Sequence, residues 1–348
     1  MRLKVFLFLS FSTIILSLIS CKSSKVTNNE NYIFSKEIEN ITKENNFNGV
    51  ILLTQKNKTT YFKAFGFSDL ENKTALNEND QFVIGSISKQ ITAVLVLQEY
   101  EKGKLKLDDK ISQYLPEISQ PWAKRITIHQ LLTHTHGIID LEKPLKFEEG
   151  SKFEYSQLGY ELLAKILEKV TKQTFEQLST ELFINNDLKN TFHPDNKKYK
   201  NLVKGYEEDE NGKLAYADNS LDNYVPAGAF ISNAKDLNKW NKLLHSGKLV
   251  NLSTLKLMST RYATRIHPIF NTVEYGYGLL FKEGENDTQI GALGYSPGFV
   301  SACYYYPQTK MNLIILENTA FVPNDIKKTF KAHIELMNLV KNVSSQRL

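Results

Sequence analysis

Sequence patterns typical of β-strands occur near both ends of this chain, whereas the long stretch between them has mostly helical patterns. Two strand patterns, 50–54 and 60–67, flank a polar turn near the start. Four more follow late in the chain, at 275–281, 288–292, 299–306 and 311–316. A sheet assembled from both chain ends, with the helical region inserted, is the economical arrangement. We therefore predict an α+β fold with an antiparallel sheet flanked by terminal helices.

Apolar residues recur at helical spacing in the middle of the chain and beyond both groups of strands. The predicted helices cover about 34–45, 91–102, 158–170, 175–183, 237–244 and 326–340. A chain of 348 residues is long enough for one large domain with a buried core. The predicted organisation is a leader over 1–20, a tether over 21–31 and a domain over 32–348, in which about 32–85 and 272–348 form the sheet part and about 86–271 the helical part.

The first 20 residues have the pattern of a secretory leader. Two basic residues, Arg2 and Lys4, precede the apolar run Val5–Ile19, which is short for a membrane-spanning helix. The Leu-Ile-Ser-Cys sequence that ends at Cys21 resembles a bacterial lipobox, in which the cysteine is lipidated and becomes N-terminal after cleavage. We therefore predict an extracytoplasmic lipoprotein of a bacterial cell envelope, on the periplasmic side or the cell surface, held to the membrane through Cys21. A plain signal peptide that ends near a cysteine is the alternative.

The charge and cysteine content restrict the partners of the chain. The formal net charge is +5, and removal of the two basic residues of the leader leaves +3. That charge is too small to indicate nucleic-acid binding, and the sequence has no basic stripe with interleaved aromatic residues. The chain has two cysteines, so a lipidated Cys21 leaves Cys303 without a partner, and no intramolecular disulfide is expected.

A candidate nucleophile follows the strand-like segment that ends at Gly85. Ser86 then lies at the start of a predicted helix, where free backbone N–H groups and the helix dipole favour an anion. Lys89 is three residues further on, so a helix places it on the same face as Ser86. A lysine that loses its proton can accept one from the serine, which makes Ser-x-x-Lys a compact nucleophile without histidine.

The Ser-x-x-Lys pattern alone is weak evidence, because it occurs three times in this lysine-rich chain. The other two copies, Ser232/Lys235 and Ser253/Lys256, have the patterns of helix starts. Ser86 differs because it follows a strand-like segment and a glycine. Its context therefore makes it the candidate.

Several further stretches are to be taken together with Ser86. They are Leu131–Gly137, Phe153–Tyr160, Pro226–Ala229, Tyr275–Gly278 and Gly291–Phe299. Together, in this order, they resemble the penicillin-recognising serine hydrolases, specifically the class C β-lactamase-like branch with its carboxypeptidases, peptidases and esterases. The resemblance covers nearly the whole mature chain and implies a β-lactamase/transpeptidase-like fold.

The resemblance implies roles for individual residues. Ser86 corresponds to the nucleophile and Lys89 to its proton partner. Tyr155 corresponds to the tyrosine that relays protons to the leaving group and from the hydrolytic water. Because a phenol titrates near pH ~10, a tyrosinate-like role needs a neighbouring positive charge, for which Lys89 is the obvious source. The backbone N–H groups of Ser86 and Tyr295 form the implied oxyanion hole, and Gly294 lets the substrate backbone lie close to the strand.

Two positions depart from the family pattern. The tyrosine motif usually ends in asparagine, whose amide contacts substrate, and here it ends in Gln157. The third motif usually carries lysine or histidine two residues before its glycine, and here that residue is Ala292. Loss of this cation removes support for Tyr155 and for a substrate carboxylate. The expected substrate is therefore a smaller or uncharged ester or peptide rather than a β-lactam or a D-Ala-D-Ala peptide.

The predicted function is that of a serine hydrolase that cleaves an ester, amide or peptide through an acyl-enzyme on Ser86, with a small molecule or peptide as substrate. D-amino-acid peptides and β-lactams stay among the candidates. A catalytically impaired relative that binds peptidoglycan-like peptides or a protein in the same cleft is the alternative. A metal-dependent hydrolase using His134 and His136 is disfavoured, because the remaining histidines form no second ligand cluster. We predict no cofactor and no metal.

Overall fold

The structure is a computed structural model that describes residues 34–284 and 287–346. The chain divides into two units, with the boundary after Asn40. The described part of the first unit belongs to helix α1, which covers 34–44 and confirms the predicted N-terminal helix.

The predictions for the start of the chain concern residues outside the described ranges. They are the leader over 1–20, the lipidated Cys21 and the tether over 21–31. They therefore stay predictions. Within 34–284 and 287–346, no helix is both long and apolar enough to cross a bilayer.

The main sheet has eight antiparallel strands in the order β2-β1-β14-β13-β12-β11-β10-β9. Smaller sheets pair β15-β6-β7, β3-β4 and β5-β8. The strands are β1 (Gly49–Gln55), β2 (Lys58–Phe65), β3 (Phe67–Asp69), β4 (Thr74–Ala75), β5 (Phe82–Val83), β6 (Tyr206–Glu208), β7 (Leu214–Tyr216), β8 (Ile231–Ser232), β9 (Ala263–His267), β10 (Asn271–Tyr275), β11 (Leu280–Lys282), β12 (Gln289–Ser296), β13 (Phe299–Tyr306), β14 (Met311–Glu317) and β15 (Thr319–Ala320).

The helices lie mainly between β5 and β9 in sequence, as the pattern predicted. After α1 they are α2 (Ser88–Glu101), α3 (Ile128–Leu132), α4 (Leu158–Thr171), α5 (Phe175–Asn185), α6 (Val225–Gly228), α7 (Ala234–His245), α8 (Leu252–Met258), α9 (Ile326–Thr329) and α10 (Lys331–Gln346). Single 3₁₀ turns cover Gly85–Ile87, Ile111–Gln113, Pro121–Lys124 and Pro194–Asn196.

The sheet built from both chain ends is confirmed, because β1 lies directly beside β14. Gly49 is opposite Glu317, and Gln55 is opposite Met311. Helix α2 is the central element of the helical region, and Ile91–Leu97 is buried on every side. A helix that is apolar around its whole circumference requires this central position.

One predicted strand is wrong in part. The pattern predicted a continuous strand over 275–281, but the chain leaves the sheet between β10 and β11. Gly278 has a φ of +68°, and a Cβ there would lie 2.8 Å from the carbonyl oxygen of Lys89. The break therefore lets the chain approach the first turn of α2 closely, which a side chain would prevent.

The predicted boundary at 272 between the helical and sheet parts also differs from the structure. Strand β9, Ala263–His267, already belongs to the main sheet and forms its edge beside β10. Its burial alternates, with exposed Thr264 and Ile266 between more buried neighbours. This short, mixed alternation is a weaker sequence signal than the apolar runs of the later strands.

A buried acid–base pair lies where β14 meets α10. Glu317 and His333 are both buried, and 3.5 Å separates Oε2 of Glu317 from Nδ1 of His333. Burial raises the pKa of Glu317 to about 8. Burial likewise lowers the pKa of His333 to about 3. Both side chains are therefore uncharged in the folded protein near pH 7.

We expect this pair to make stability fall between about pH 6.5 and pH 8. An acid whose pKa is raised on folding from 4.5 to about 8 stabilises the folded state below pH 4.5, and this contribution is lost as the pH rises through 8. The lowered pKa of His333 makes stability rise with pH up to pH 6.5. The contributions of the two residues therefore oppose one another between pH 4.5 and pH 6.5. Between pH 6.5 and pH 8 the free energy of unfolding of the unmodified protein should decrease by about 2 kcal/mol because of Glu317, and this decrease should be absent in Glu317→Gln. Urea unfolding of both proteins across this range measures it, and parallel pH profiles would contradict the assignment.

Candidate active site

The candidate nucleophile lies where β5 passes into α2. Gly85 has a φ of +53°, and a Cβ there would lie 2.5 Å from the backbone nitrogen of Tyr295. A glycine is therefore required for the approach of β12. The α-helix begins at Ser88 rather than at Ser86 as predicted, because a 3₁₀ turn comes first. Ser86 is consequently half-buried at the entrance to the helix.

Lys89 lies beside Ser86, as the three-residue spacing predicted. Its Nζ is 3.3 Å from Oγ of Ser86 and donates a hydrogen bond of 2.8 Å to the carbonyl oxygen of Ala227 in α6. The lysine is 1% exposed. Its amine is thus fixed between a backbone acceptor and the serine hydroxyl, shielded from bulk water.

Tyr155 lies on the loop before α4 with 37% of its surface exposed. The Nζ of Lys89 is 4.6 Å from the centre of its ring. The guanidinium carbon of Arg265 is 5.1 Å from the same centre. Two basic side chains, Lys89 and Arg265, therefore lie near the ring of Tyr155. The structure thus places all three predicted catalytic side chains together.

His134 packs against Tyr155. The two rings are 4.6 Å apart between centres. Nδ1 of the histidine accepts from the backbone N–H of Ser156 at 3.2 Å, so its proton is on Nε2, 3.2 Å from the hydroxyl of Tyr275. Burial, and then the charge of Lys89, lower its pKa well below the usual value, which keeps the ring neutral. No group of three potential ligands is arranged to hold a metal ion in the described part of the chain.

His136 is a second buried, neutral imidazole. Burial lowers its pKa to about 4. Its Nδ1 accepts from the backbone N–H of Ile138 at 2.9 Å. A Cβ at Gly159 would lie 2.6 Å from Nε2, so the first turn of α4 packs directly against this ring. His136 thereby connects the His134 loop to the helix that follows Tyr155.

Strand β12 forms the opposite wall of the site. A Cβ on Gly294 would overlap the carbonyl oxygen of Ile84, so this glycine permits close contact with the segment before Ser86. Strand β11 pairs with β12 only as far as Gly291. The backbone from Ala292 onward is therefore not covered by β11, and the backbone nitrogen of Tyr295 lies beside Gly85. The predicted role of this nitrogen in an oxyanion hole stays a prediction.

The side chain of Tyr295 has a structural partner that the sequence did not indicate. Its hydroxyl donates to Oε1 of Glu207 in β6. The same oxygen accepts from the backbone N–H of Gly298 at 3.2 Å. Burial, and then the hydrogen bond to Glu207, raise the pKa of Tyr295, so its phenol stays protonated. Glu207 therefore holds the turn between β12 and β13 in place.

Gln157 lies near the site on the side of α6. Its side chain is exposed, and its backbone carbonyl accepts from the N–H groups of Tyr160 and Glu161 at the start of α4. A Cβ on Gly228 would lie 3.7 Å from Oε1 of Gln157. Gln157 is not among the described residues that line the cavity beside Ser86. Its predicted role in substrate binding stays a prediction.

A cavity of about 190 Å³ opens beside Ser86 and Tyr155. Ala292 lines it, so the position where the family pattern has a cation is apolar here, as the sequence showed. Arg265 from β9 also lines the cavity and supplies a guanidinium instead. The expectation of a smaller or uncharged substrate rested on position 292, whereas Arg265 places a cation in the same cavity. The remaining lining residues are His267, Pro268, Ile269, Tyr275, Leu280, Leu293, Tyr295, Ile326 and Phe330.

The fold and the arrangement of Ser86, Lys89 and Tyr155 define a penicillin-recognising serine hydrolase class of protein. The family model described as Beta-lactamase matches residues 34–335, so the chain belongs to this family. The teichoic acid D-alanine hydrolase of Staphylococcus aureus is 26% identical over 278 residues, which cover 74% of this chain and 68% of that protein. Hydrolases among the relatives support a serine hydrolase of this family.

Solved structures share the fold. The octameric penicillin-binding protein homologue from Pyrococcus abyssi matches with a TM-score of 0.78 and 23% identity, covering 89% of this chain and 76% of that one. The D-amino acid amidase from Ochrobactrum anthropi SV3 also matches with a TM-score of 0.78, at 21% identity, covering 89% of this chain and 99% of that one. These similarities confirm the predicted α+β architecture.

Proposed function

We propose that the protein hydrolyses an ester or amide through an acyl-enzyme on Ser86. The observation that carries this proposal is the position of the buried Lys89 amine, 3.3 Å from Oγ of Ser86 and 2.8 Å from the carbonyl oxygen of Ala227. The hydrogen bond to Ala227 holds this amine where it can exchange a proton with the hydroxyl of Ser86. This geometry matches the requirement that a nucleophile and its base lie within hydrogen-bond reach.

Acylation begins when Oγ of Ser86 attacks the substrate carbonyl carbon and gives its proton to Nζ of Lys89. The carbonyl oxygen becomes an oxyanion, which the backbone N–H groups of Ser86 and Tyr295 stabilise. As the tetrahedral intermediate collapses, the bond to the leaving group breaks. Tyr155, between Lys89 and the open cavity, passes a proton to that group. The acyl group then remains on Ser86.

Deacylation repeats these steps with water as the nucleophile. Tyr155 takes a proton from the water, whose oxygen attacks the acyl carbonyl. The oxyanion returns to the same two backbone donors. As the second intermediate collapses, the bond from Oγ of Ser86 to the acyl carbon breaks, Nζ of Lys89 returns its proton to Oγ, and the acid is released. Two flanking cations, Lys89 and Arg265, stabilise the negative charge that the phenol carries during the transfer.

The names of the relatives favour ester or amide bonds as the substrate chemistry. One acts on teichoic acid D-alanine, and a structural neighbour is an amidase of D-amino acids. The cavity of about 190 Å³ is small, so the group it holds is of the size of one or a few residues. We therefore propose a small acyl or amino-acid derivative as the substrate.

Intact-mass spectrometry after exposure to a fluorophosphonate, and separately to a penicillin, tests the proposal. We expect one phosphonyl group on the protein, formed when Oγ of Ser86 bonds to phosphorus and fluoride leaves. Peptide mapping should place it on Ser86, and Ser86→Ala should carry none. A penicillin adduct would extend the substrate class to β-lactams. A folded protein with no adduct from either reagent would instead favour a binding protein with the same cleft.

A further inference from the structure

The cavity beside Ser86 contains the guanidinium of Arg265. In the proposed catalytic steps this group only stabilises charge on Tyr155. Arg265 projects from β9, the edge strand of the main sheet, and its half-buried side chain lines the cavity. Burial lowers its pKa below the usual range of an arginine, but an arginine keeps its charge at neutral pH. A half-buried charge is costly unless an opposite charge or hydrogen bonds compensate it.

The described residues provide no such compensation through an acid. The Arg265 guanidinium lies over the rings of Phe153 and Tyr155, at 5.3 and 5.1 Å from their centres, and it forms no salt bridge with an acid among residues 34–284 and 287–346. None of the described residues that line the cavity is Asp or Glu. By contrast, Arg261, four residues earlier, pairs with both Glu274 and Glu283. The Arg265 guanidinium thus borders a cavity whose described lining has no acidic side chain.

A neutral donor lies on the same face of β9. His267 is two residues from Arg265, so both side chains project to one side of the strand. Burial, and then the charge of Arg265, lower the pKa of His267 to about 4. Its Nδ1 accepts from the backbone N–H of Ile269 at 3.1 Å, which leaves the proton on Nε2. His267 therefore adds a hydrogen-bond donor without adding a second positive charge.

The remainder of the wall is largely apolar. Pro268 and Ile269 come from the turn between β9 and β10, Leu293 comes from β12, and Ile326 and Phe330 come from the C-terminal helical segment. One cation, one neutral donor and apolar surroundings suit a group with a single negative charge beside an apolar body. They suit a free ammonium group poorly, because no acid lines the cavity.

We propose that Arg265 is a substrate-binding residue that recognises a carboxylate on the ester or amide attacked by Ser86. Its planar pair of N–H donors fits the two oxygens of a carboxylate, and His267 can donate a further hydrogen bond. The cation that the third family motif lacks at Ala292 is thus supplied from a different strand. This inference rests on the proposed hydrolase function and narrows its substrate to carboxylate-bearing molecules.

The competing explanation is that Arg265 only contacts the rings of Phe153 and Tyr155. Matched substrates distinguish this explanation from carboxylate recognition. Two pairs of esters are compared, each pair differing only in a carboxylate or a carboxamide, placed in the acyl part or in the leaving group. In the unmodified protein, kcat/KM should favour the carboxylate member of at least one pair. Arg265→Gln should lower that preference roughly 10- to 100-fold, chiefly through KM. Arg261→Gln, which changes an arginine outside the cavity, should preserve the preference.

If Arg265 only supports Tyr155, Arg265→Gln lowers the turnover of both members of a pair equally. That result, or the absence of any carboxylate preference in the unmodified protein, would overturn the proposal. Arg265→Lys keeps the charge but loses the paired donors, and we expect it to recover only part of the preference.

A binding measurement keeps the inference separate from the hydrolase proposal. Ser86→Ala is titrated calorimetrically with N-acetyl-D-alanine, N-acetyl-D-phenylalanine and their amides, which require no turnover. Tighter binding of an acid than of its amide, lost in Ser86→Ala/Arg265→Gln, supports carboxylate recognition even if no ester is hydrolysed. Equal or absent binding of acids and amides would overturn it, even if a fluorophosphonate labels Ser86 of the unmodified protein.

Discussion

Ser86→Ala is expected to abolish ester hydrolysis, with a loss in kcat of about 10⁴-fold or more. The reason is that no bond to the acyl group can form without Oγ, and Lys89 then has no serine proton to accept. Residual turnover would come from the oxyanion donors acting on water. The change removes one half-buried hydroxyl, so the melting temperature should stay close to that of the unmodified protein. Steady-state kinetics and thermal unfolding measure the two effects.

Ser253→Ala is a matched control, because Ser253 belongs to an exposed copy of the same Ser-x-x-Lys pattern at the start of α8. Its hydroxyl bonds to the side chain of Asn251 and lies outside the described lining of the cavity. Full activity is expected for this variant. Retained turnover in Ser86→Ala, with the protein folded, would exclude Ser86 as the nucleophile.

Lys89→Met is expected to lower kcat by about 10²- to 10⁴-fold, the range that one general base contributes. Methionine matches the length of the lysine stem, so the buried space stays filled. It cannot accept the proton of Ser86, and it removes one of the two cations beside Tyr155. The rate of labelling by a fluorophosphonate should fall with kcat, because both reactions require the activated hydroxyl. Stopped-flow labelling and steady-state turnover measure the two rates.

Lys256→Met provides the corresponding control in the exposed copy of the motif, where the lysine is on the surface of α8. The fluorophosphonate should label this variant at the normal rate, and its substrate turnover should be normal. If Lys89→Met retained its labelling rate, another group would have to activate Ser86, and Tyr155 would be the first to examine by Tyr155→Phe. Loss of activity together with loss of the folded state would be recognised by circular dichroism.

Local sequence signals predicted the part of the site that depends on spacing within one element. Ser86 and Lys89 are three residues apart, so the helical start alone brings them together. Local sequence patterns could not predict that Tyr155 lies near Ser86, because its loop meets Ser86 only in the tertiary structure. The resemblance to a family, rather than hydrophobic periodicity, predicted that Tyr155 belongs to the same site as Ser86.

Arg265 shows what remained hidden. It reaches Tyr155 because β9 pairs with β10 at the edge of the sheet, and neither strand was predicted with its observed bounds. An arginine in a short mixed segment has no pattern that distinguishes it from a surface residue. The hydrogen bond from Tyr295 to Glu207 was hidden for the same reason, since it joins strands from two separate sheets.

The adjacency of β1 and β14 has a consequence for how the chain folds. The residues that pair at this junction, such as Gly49 and Glu317, are separated by nearly the whole domain, so the loop that must close is very long. Contacts of this kind slow folding. A chain that ends before Met311 would keep β1 with one unpaired edge, which is a template for association with other chains. Strand β1 therefore cannot complete its pairing, and the core cannot close, until β14 near the end of the chain is available.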